Sequence, residues 1–205
     1  MDRGQAFTLE GVIGGMVLLA AILFALQSLL VTPTTSGTVD PDVRSELRQQ
    51  ANDILINAAE NESFDLSSYV RYYDQNGQRF YNATNRRVGY GSAGPPKSLG
   101  TMLNETFTQR GRVYNVELRY LDNETTAESL RTQLVYRSEP SANAVVATYT
   151  VTLFDNQTLT APNAGSAELV DFDTDPQDDD DGYYPIPDAV DGPIYNVVEV
   201  RVVVW

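Results

Sequence analysis

The chain has 205 residues, a formal charge of −14, and neither cysteine nor histidine. The two absences remove disulfides, thiolate and imidazole metal sites, thiol nucleophiles and every Ser-His or Cys-His catalytic pair, and the acidity removes an electrostatic reason to bind nucleic acid. Less an apolar N-terminal stretch, the length suits one globular domain.

Of the fourteen basic residues only Lys97 is a lysine. An acidic, lysine-poor surface stays soluble in concentrated salt, where mutual repulsion is screened within about 3 Å at 1 M. A halophilic protein is therefore expected. From Asp171 to Asp191 there are nine aspartates and no base, so one segment carries most of the net charge.

Residues Gly11 to Val31 are apolar apart from Gln27, Ser28 and three glycines. About 20 such residues at a rise of 1.5 Å cover a hydrocarbon core of ~30 Å. Val12 to Leu26 shows no polar face, which separates a transmembrane helix from an ordinary core helix. Arg3 is the only base before this run, so the positive-inside rule places the N-terminus in the cytoplasm and the bulk of the chain outside, with membrane lipid as a partner. Gly11 and Gly15 stand four apart, the spacing that lets two such helices approach closely.

Thr32 to Thr38 is polar and contains Pro33 and Gly37, the composition of a short linker. Asp40-Pro41 reads as a cap followed by proline at the first helical position. Val43, Leu47, Ala51, Ile54 and Ala58 then share one side of an amphipathic helix running from Pro41 to about Glu60.

Beyond it the hydrophobic period changes to two. Ser68–Tyr73 and Arg79–Tyr81 flank Asn76-Gly77, a hairpin signal. Alternation recurs in Tyr114–Tyr120, Leu130–Tyr136, Val145–Leu153 and Ile194–Trp205, the pattern of antiparallel strands with one buried face. Val88–Leu99 and the acidic stretch read as loops. The expected fold is α+β, with the amphipathic helix packed on an antiparallel sheet.

The residues before the apolar run separate two kinds of export segment. An ordinary secretory signal is cut after its hydrophobic core, which is then discarded. Here a charged-then-small pair, Arg3-Gly4, precedes the core, and a cut between Gly4 and Gln5 retains it. Arg-Gly-Gln-Ala-Phe-Thr-Leu-Glu (residues 3–10) followed by a glycine-containing apolar helix resembles the class III leader of type IV pilins, archaeal pilins and archaellins, and most of all the pilin-like surface proteins of haloarchaea. The resemblance covers about thirty residues and implies a leader of residues 1–4, cleavage by a prepilin-type peptidase at Arg3, Gly4 and Gln5, a transmembrane helix at 5–31, a linker at 32–40 and an extracellular head at 41–205. It further implies other pilin-like subunits as partners, with Glu10 meeting the N-terminal amine of a neighbour. Cutting after Gly4 makes Glu10 the sixth mature residue, where bacterial pilins carry theirs fifth.

Three further candidates follow from the residues themselves. Asp171, Asp173 and Asp175 alternate as in a calcium loop, but no frame puts glycine at the required sixth position; a solvated acidic loop with no cofactor is the first reading and Ca2+ the second. Acceptor sequons occur at Asn61, Asn82, Asn104, Asn123 and Asn156, which suits an exterior glycoprotein. Glu117, Glu128 and Glu199 are placed on solvent faces, and with no nucleophile or base in view the chain is not expected to be an enzyme. The sequence thus points to a membrane-anchored, pilin-like structural or accessory protein. The alternative is a non-polymerising single-pass receptor or binding module.

Overall fold

The computed structural model describes the backbone of residues 3–28, 41–123, 129–177 and 182–205; in the first stretch side chains are described from Glu10 to Phe24. The chain divides into two compact units, residues 1–39 and 40–205.

The first unit holds one helix, α1 (Arg3–Ser28). Nine large apolar side chains between Val12 and Phe24 are each 48–76% exposed, and the described stretch from Gly11 to Phe24 carries no polar side chain. The fifteen residues with described side chains extend ~22 Å at 1.5 Å per residue. Among the described residues no helix is long and apolar enough to cross a membrane. The expected linker, residues 32–40, and the cap at Asp40 lie outside the described residues.

The second unit is an α+β head with an antiparallel sheet. Helix α2 (Pro41–Ala59) buries Leu47, Ala51, Ile54, Leu55 and Ala58, the expected stripe with Leu55 added to it. The sheet it covers has the order β4-β3-β6-β5, formed by β3 (Tyr114–Leu121), β4 (Ser129–Val135), β5 (Val145–Phe154) and β6 (Ile194–Val204). All neighbouring pairs are antiparallel. Register follows the two-residue period: Val116, Leu118 and Val200, Val202 turn to the helix side and are buried, while Glu117, Arg119 and Arg201 turn outward.

Two local readings are corrected. Ser68–Val70 is not strand: Asp65 accepts from the Ser68 amide at 2.7 Å and caps a one-turn helix, α3 (Leu66–Val70), because a capped turn satisfies the amides locally. The Asn76-Gly77 hairpin is present but short, β1 (Tyr73–Asp74) on β2 (Arg79–Phe80). The expected loop Val88–Leu99 also ends in a helix, α4 (Lys97–Thr106), which buries Leu99 and Leu103 against the core.

The core is rich in tyrosine, and burial pushes the phenols of Tyr73, Tyr90, Tyr120, Tyr184 and Tyr195 upward from their ordinary value of 10.0. Three of them donate to backbone carbonyls: Tyr90 to Tyr81 at 2.9 Å, Tyr184 to Val70 at 3.1 Å and Tyr195 to Ile186 at 2.6 Å. Ionisation would remove those donors and bury a charge. A raised folded-state value means the stabilisation is complete below about pH 10 and is lost as the pH climbs above it. Denaturant midpoints measured against pH should therefore fall above about pH 10, with tyrosinate absorbance rising together with unfolding; free ionisation of these phenols in a folded head would contradict the packing described.

Candidate functional site: an arginine-lined outer face

The outer face of the sheet centres on Glu117, whose side chain is only 9% exposed although it points away from the core. Three guanidiniums enclose it. Arg119 Nε donates to Oε2 at 3.3 Å, Arg131 Nη1 stands 3.7 Å from Oε1, and Arg201 Nε stands 3.9 Å from Oε2. Pairing register produces this: Arg201 lies opposite Glu117 on β6, and Arg119 lies opposite Arg131 on β4. Like charges directly opposed destabilise a sheet, and Glu117 is the counter-charge between them.

One carboxylate cannot balance three guanidiniums. A cavity of about 540 Å³ over this face is lined by Arg87, Arg119, Arg131 and Arg201 against Glu117 and Glu139. It adjoins a second cavity of about 300 Å³ lined by Arg79, Arg86, Arg87 and Arg131, with no carboxylate in its wall among the described residues. Arg87, Arg131 and Gln133 belong to both. On a chain of charge −14, six of the fourteen basic residues thus face one continuous cleft.

The turn that carries Arg86 and Arg87 is built for its place. Asn85 Oδ1 accepts from the amides of Arg87 and Val88 at 2.9 and 3.0 Å, an Asx turn. The turn is tied to the edge of the sheet by Tyr136 N to Val88 O at 3.0 Å and Tyr90 N to Leu134 O at 2.9 Å. Gly89 closes it at φ 57°, where a Cβ would collide with the Leu134 carbonyl, so only glycine allows the approach. Arg86 is held by Gln78 Oε1 at 3.1 Å and Tyr183 Oη at 2.6 Å, and its guanidinium lies 4.6 Å from the Tyr183 ring centroid.

A model of a family of unknown function (DUF7288) matches residues 3–204. The chain belongs to this family. The match takes in both the apolar helix and the head. No curated protein and no solved structure matches.

The residues singled out in the sequence fall elsewhere. Arg3, Gly4 and Gln5 form the start of α1, and Glu10 on the same helix is exposed. A Cβ at Gly11 or Gly15 would meet nothing within 4 Å. Asp171, Asp173 and Asp175 spend their carboxylates on their own turns, accepting from the amides of Glu168, Asp175 and Gln177 at 3.1, 2.8 and 2.9 Å. Among the described residues no group of three acidic side chains is placed to hold a metal ion; Asp178–Asp181 lie outside them. Asn82, Asn104, Asn123 and Asn156 are exposed, whereas Asn61 is half-buried and accepts from Ser63 N and Phe64 N, both at 3.0 Å.

The placement of Glu117 on a solvent face is corrected: its direction is outward, but arginine side chains cover it. Glu199 is half-buried, and Glu128 lies outside the described residues. Sequence reading missed the arginine cluster. The available signal was the recurrence of arginine at outward positions of three strands, and strand order was needed to see that they converge.

Glu117→Gln keeps the shape and removes the charge that opposes three guanidiniums. The head should lose about 1–3 kcal/mol in chemical denaturation, with the loss shrinking in molar salt as screening relieves the repulsion. A substitution neutral at low salt would mean that Glu117 does not hold the cluster together. Gly89→Ala should lower the denaturation midpoint and loosen the Arg86-Arg87 turn, seen as faster amide exchange at Tyr90 and Tyr136.

Proposed function

We propose that the protein is a membrane-anchored, cell-surface, pilin-like structural or accessory protein, with α1 as its retained membrane helix and the α+β head outside. The observation that carries this is the helix exposing nine large apolar side chains on all sides; a helix apolar all round belongs inside a large core or a bilayer. The apolar sequence runs on from Phe24 to Val31, past the last described side chain, and the whole run reaches the length of a span. Arg3-Gly4 and Phe7-Thr8-Leu9-Glu10 support maturation by a leader peptidase between Gly4 and Gln5. The family match supports treating helix and head as one protein design.

In this reading Glu10 lies at the membrane boundary, where a carboxylate is costly unless paired, and its partner is the N-terminal amine of a neighbouring subunit. Gly11 and Gly15 offer a surface free of side chains where a second helix can pack. The acidic, lysine-poor composition fits salt-rich surroundings, and the four exposed sequons fit an external head. The role is structural rather than catalytic. A second reading, a non-polymerising receptor or binding module on the same anchor, is favoured by the arginine-lined cleft, which assembly through α1 does not require.

Protein made in its native host should sediment with membranes, resist alkaline carbonate extraction and begin at Gln5 by N-terminal mass analysis. An intact Met1 would keep the anchor and remove the pilin leader; a start near Thr38 would make the apolar run a discarded signal. Glu10→Ala should reduce crosslinked multimers while leaving membrane attachment unchanged. Dispersed monomers in both forms would favour the receptor reading.

A further inference from the structure

The two edges of the head's sheet differ. On the β4 side the Asn85 turn lies along the strand, bonded to it at Leu134 and bridged from Gly89 to Val135, and Arg131 stands within the strand itself. β5 forms the other edge. Its ten residues, Val-Val-Ala-Thr-Tyr-Thr-Val-Thr-Leu-Phe, include no charge, no proline and no glycine, and its register shift lies at the very end, between Leu153 and Phe154. Charge, proline, bulges and short length are devices that keep an edge strand from pairing with another chain. The middle of β5 has none of them.

Hydrogen-bond alternation identifies the open groups. Val113 and Trp205 exchange both backbone bonds, each at 3.0 Å, so Trp205 faces β3 and, in alternation, Val204, Val202, Val200 and Val198 face β5. Their partners there are Val145, Ala147, Tyr149 and Val151. Val146, Thr148, Thr150 and Thr152 therefore turn their N–H and C=O groups away from the sheet. Among the described residues no backbone group pairs with these four. The next outward residues on either side are already engaged. Ala144 N donates to Ser141 O at 3.0 Å, and Gln157 takes both groups of Phe154, accepting through Oε1 at 3.2 Å and donating through N at 3.0 Å. The open stretch thus runs from Val146 to Thr152 and is centred on Tyr149.

Such a stretch is complementary to itself. Laid antiparallel about a two-fold axis at Tyr149, two copies set Thr148 against Thr150 and Val146 against Thr152, and every open N–H meets an open C=O. The faces of the sheet are kept: Tyr149 meets its counterpart on the helix side, and the exposed Thr148 and Thr150 meet on the outer side, where threonine pairs stabilise a sheet. An axis at Thr150 would instead set Val146 against Phe154, whose groups Gln157 already holds. The absence of charge fits a second copy in particular. Two chains of charge −14 repel each other, and an uncharged strand is where they meet with least opposition. We infer that β5 is a homotypic interface, through which two heads join edge to edge over residues 146–152 into one continuous sheet closed by two-fold symmetry. The inference stands on the head alone and does not depend on whether α1 spans a membrane.

The test is sedimentation of the full chain in detergent at low salt, with substitutions at the two exposed threonines. The unaltered chain should form a two-copy species. Thr148→Lys together with Thr150→Lys opposes like charges across the join and should weaken it by roughly tenfold. Thr148→Lys together with Thr150→Glu opposes unlike charges and should restore it. Each is run with and without Glu10→Ala, which separates multimers held through α1. In a chain without cysteine, Tyr149→Cys should give a crosslinked pair on mild oxidation, because antiparallel neighbours outside the hydrogen-bonded pairs lie ~4.5 Å apart at Cα; Thr148→Cys should not. Circular dichroism of each variant reports folding separately. Monomers at every concentration, a two-copy species indifferent to the lysines, no rescue by Thr150→Glu, open-ended fibres, or a Tyr149→Cys crosslink to a different polypeptide in the native host would each overturn the assignment.

Discussion

The head depends on one asymmetry, a four-stranded sheet with a helix on one face only. α2 seals the valine-rich side of β5 and β6, and the core continues from that interface to Leu99 and Leu103 of α4 and to the buried tyrosines. Burying that side of the strands commits every second residue to the other side, since a one-residue slip would exchange the two sets. The outward residues are thus fixed in register by hydrophobic packing they take no part in. Glu117 meets Arg201, and Arg119 meets Arg131, because Val116, Leu118, Val200 and Val202 must meet beneath them.

This explains how an acidic protein holds a compact positive cleft. Arginines spread over a loop would each pay side-chain entropy for any shared geometry. Here the strands hold the Cα positions, the Asx turn at Asn85 brings two more arginines to the edge, and one buried carboxylate ties three guanidiniums together. Concentrating the positive charge in this way leaves the remaining surface free to be acidic.

The regular parts of the head were legible from periodicity: the apolar stripe of α2, the alternation in β3 to β6 and the Asn76-Gly77 hairpin. These patterns repeat over several turns or pleats, so no single residue decides them. The misses were short elements settled by one contact each. Asp65 caps α3 where alternation suggested strand, and Pro95-Pro96 precede a helix that a Gly- and Pro-rich composition disguised. The outer cleft was illegible for another reason. Arg79, Arg87, Arg131 and Arg201 are scattered over more than a hundred residues of sequence, and only the order β4-β3-β6-β5, with β6 inserted between β3 and β5, brings them to one face. Outward direction was read correctly for Glu117, but burial was not, because what covers it is long side chains from neighbouring strands.

The one lysine sharpens the contrast with these arginines. Lys97 Nζ lies 3.1 Å from the Phe64 ring centroid and 5.1 Å from that of Tyr72, and desolvation lowers its pKa. It serves as a cation on aromatic faces at the start of α4, away from the cleft, whereas every cleft cation is a guanidinium. An ammonium is a strongly hydrated point charge, while a guanidinium sheds water more easily and binds two planar oxygens at once. In concentrated salt, where long-range attraction is screened within a few Å, a ligand has to be held by short, directed hydrogen bonds rather than by the field of the molecule. A cleft whose described cations are all arginines retains that capacity under the conditions in which an acidic, lysine-poor surface is at its most soluble.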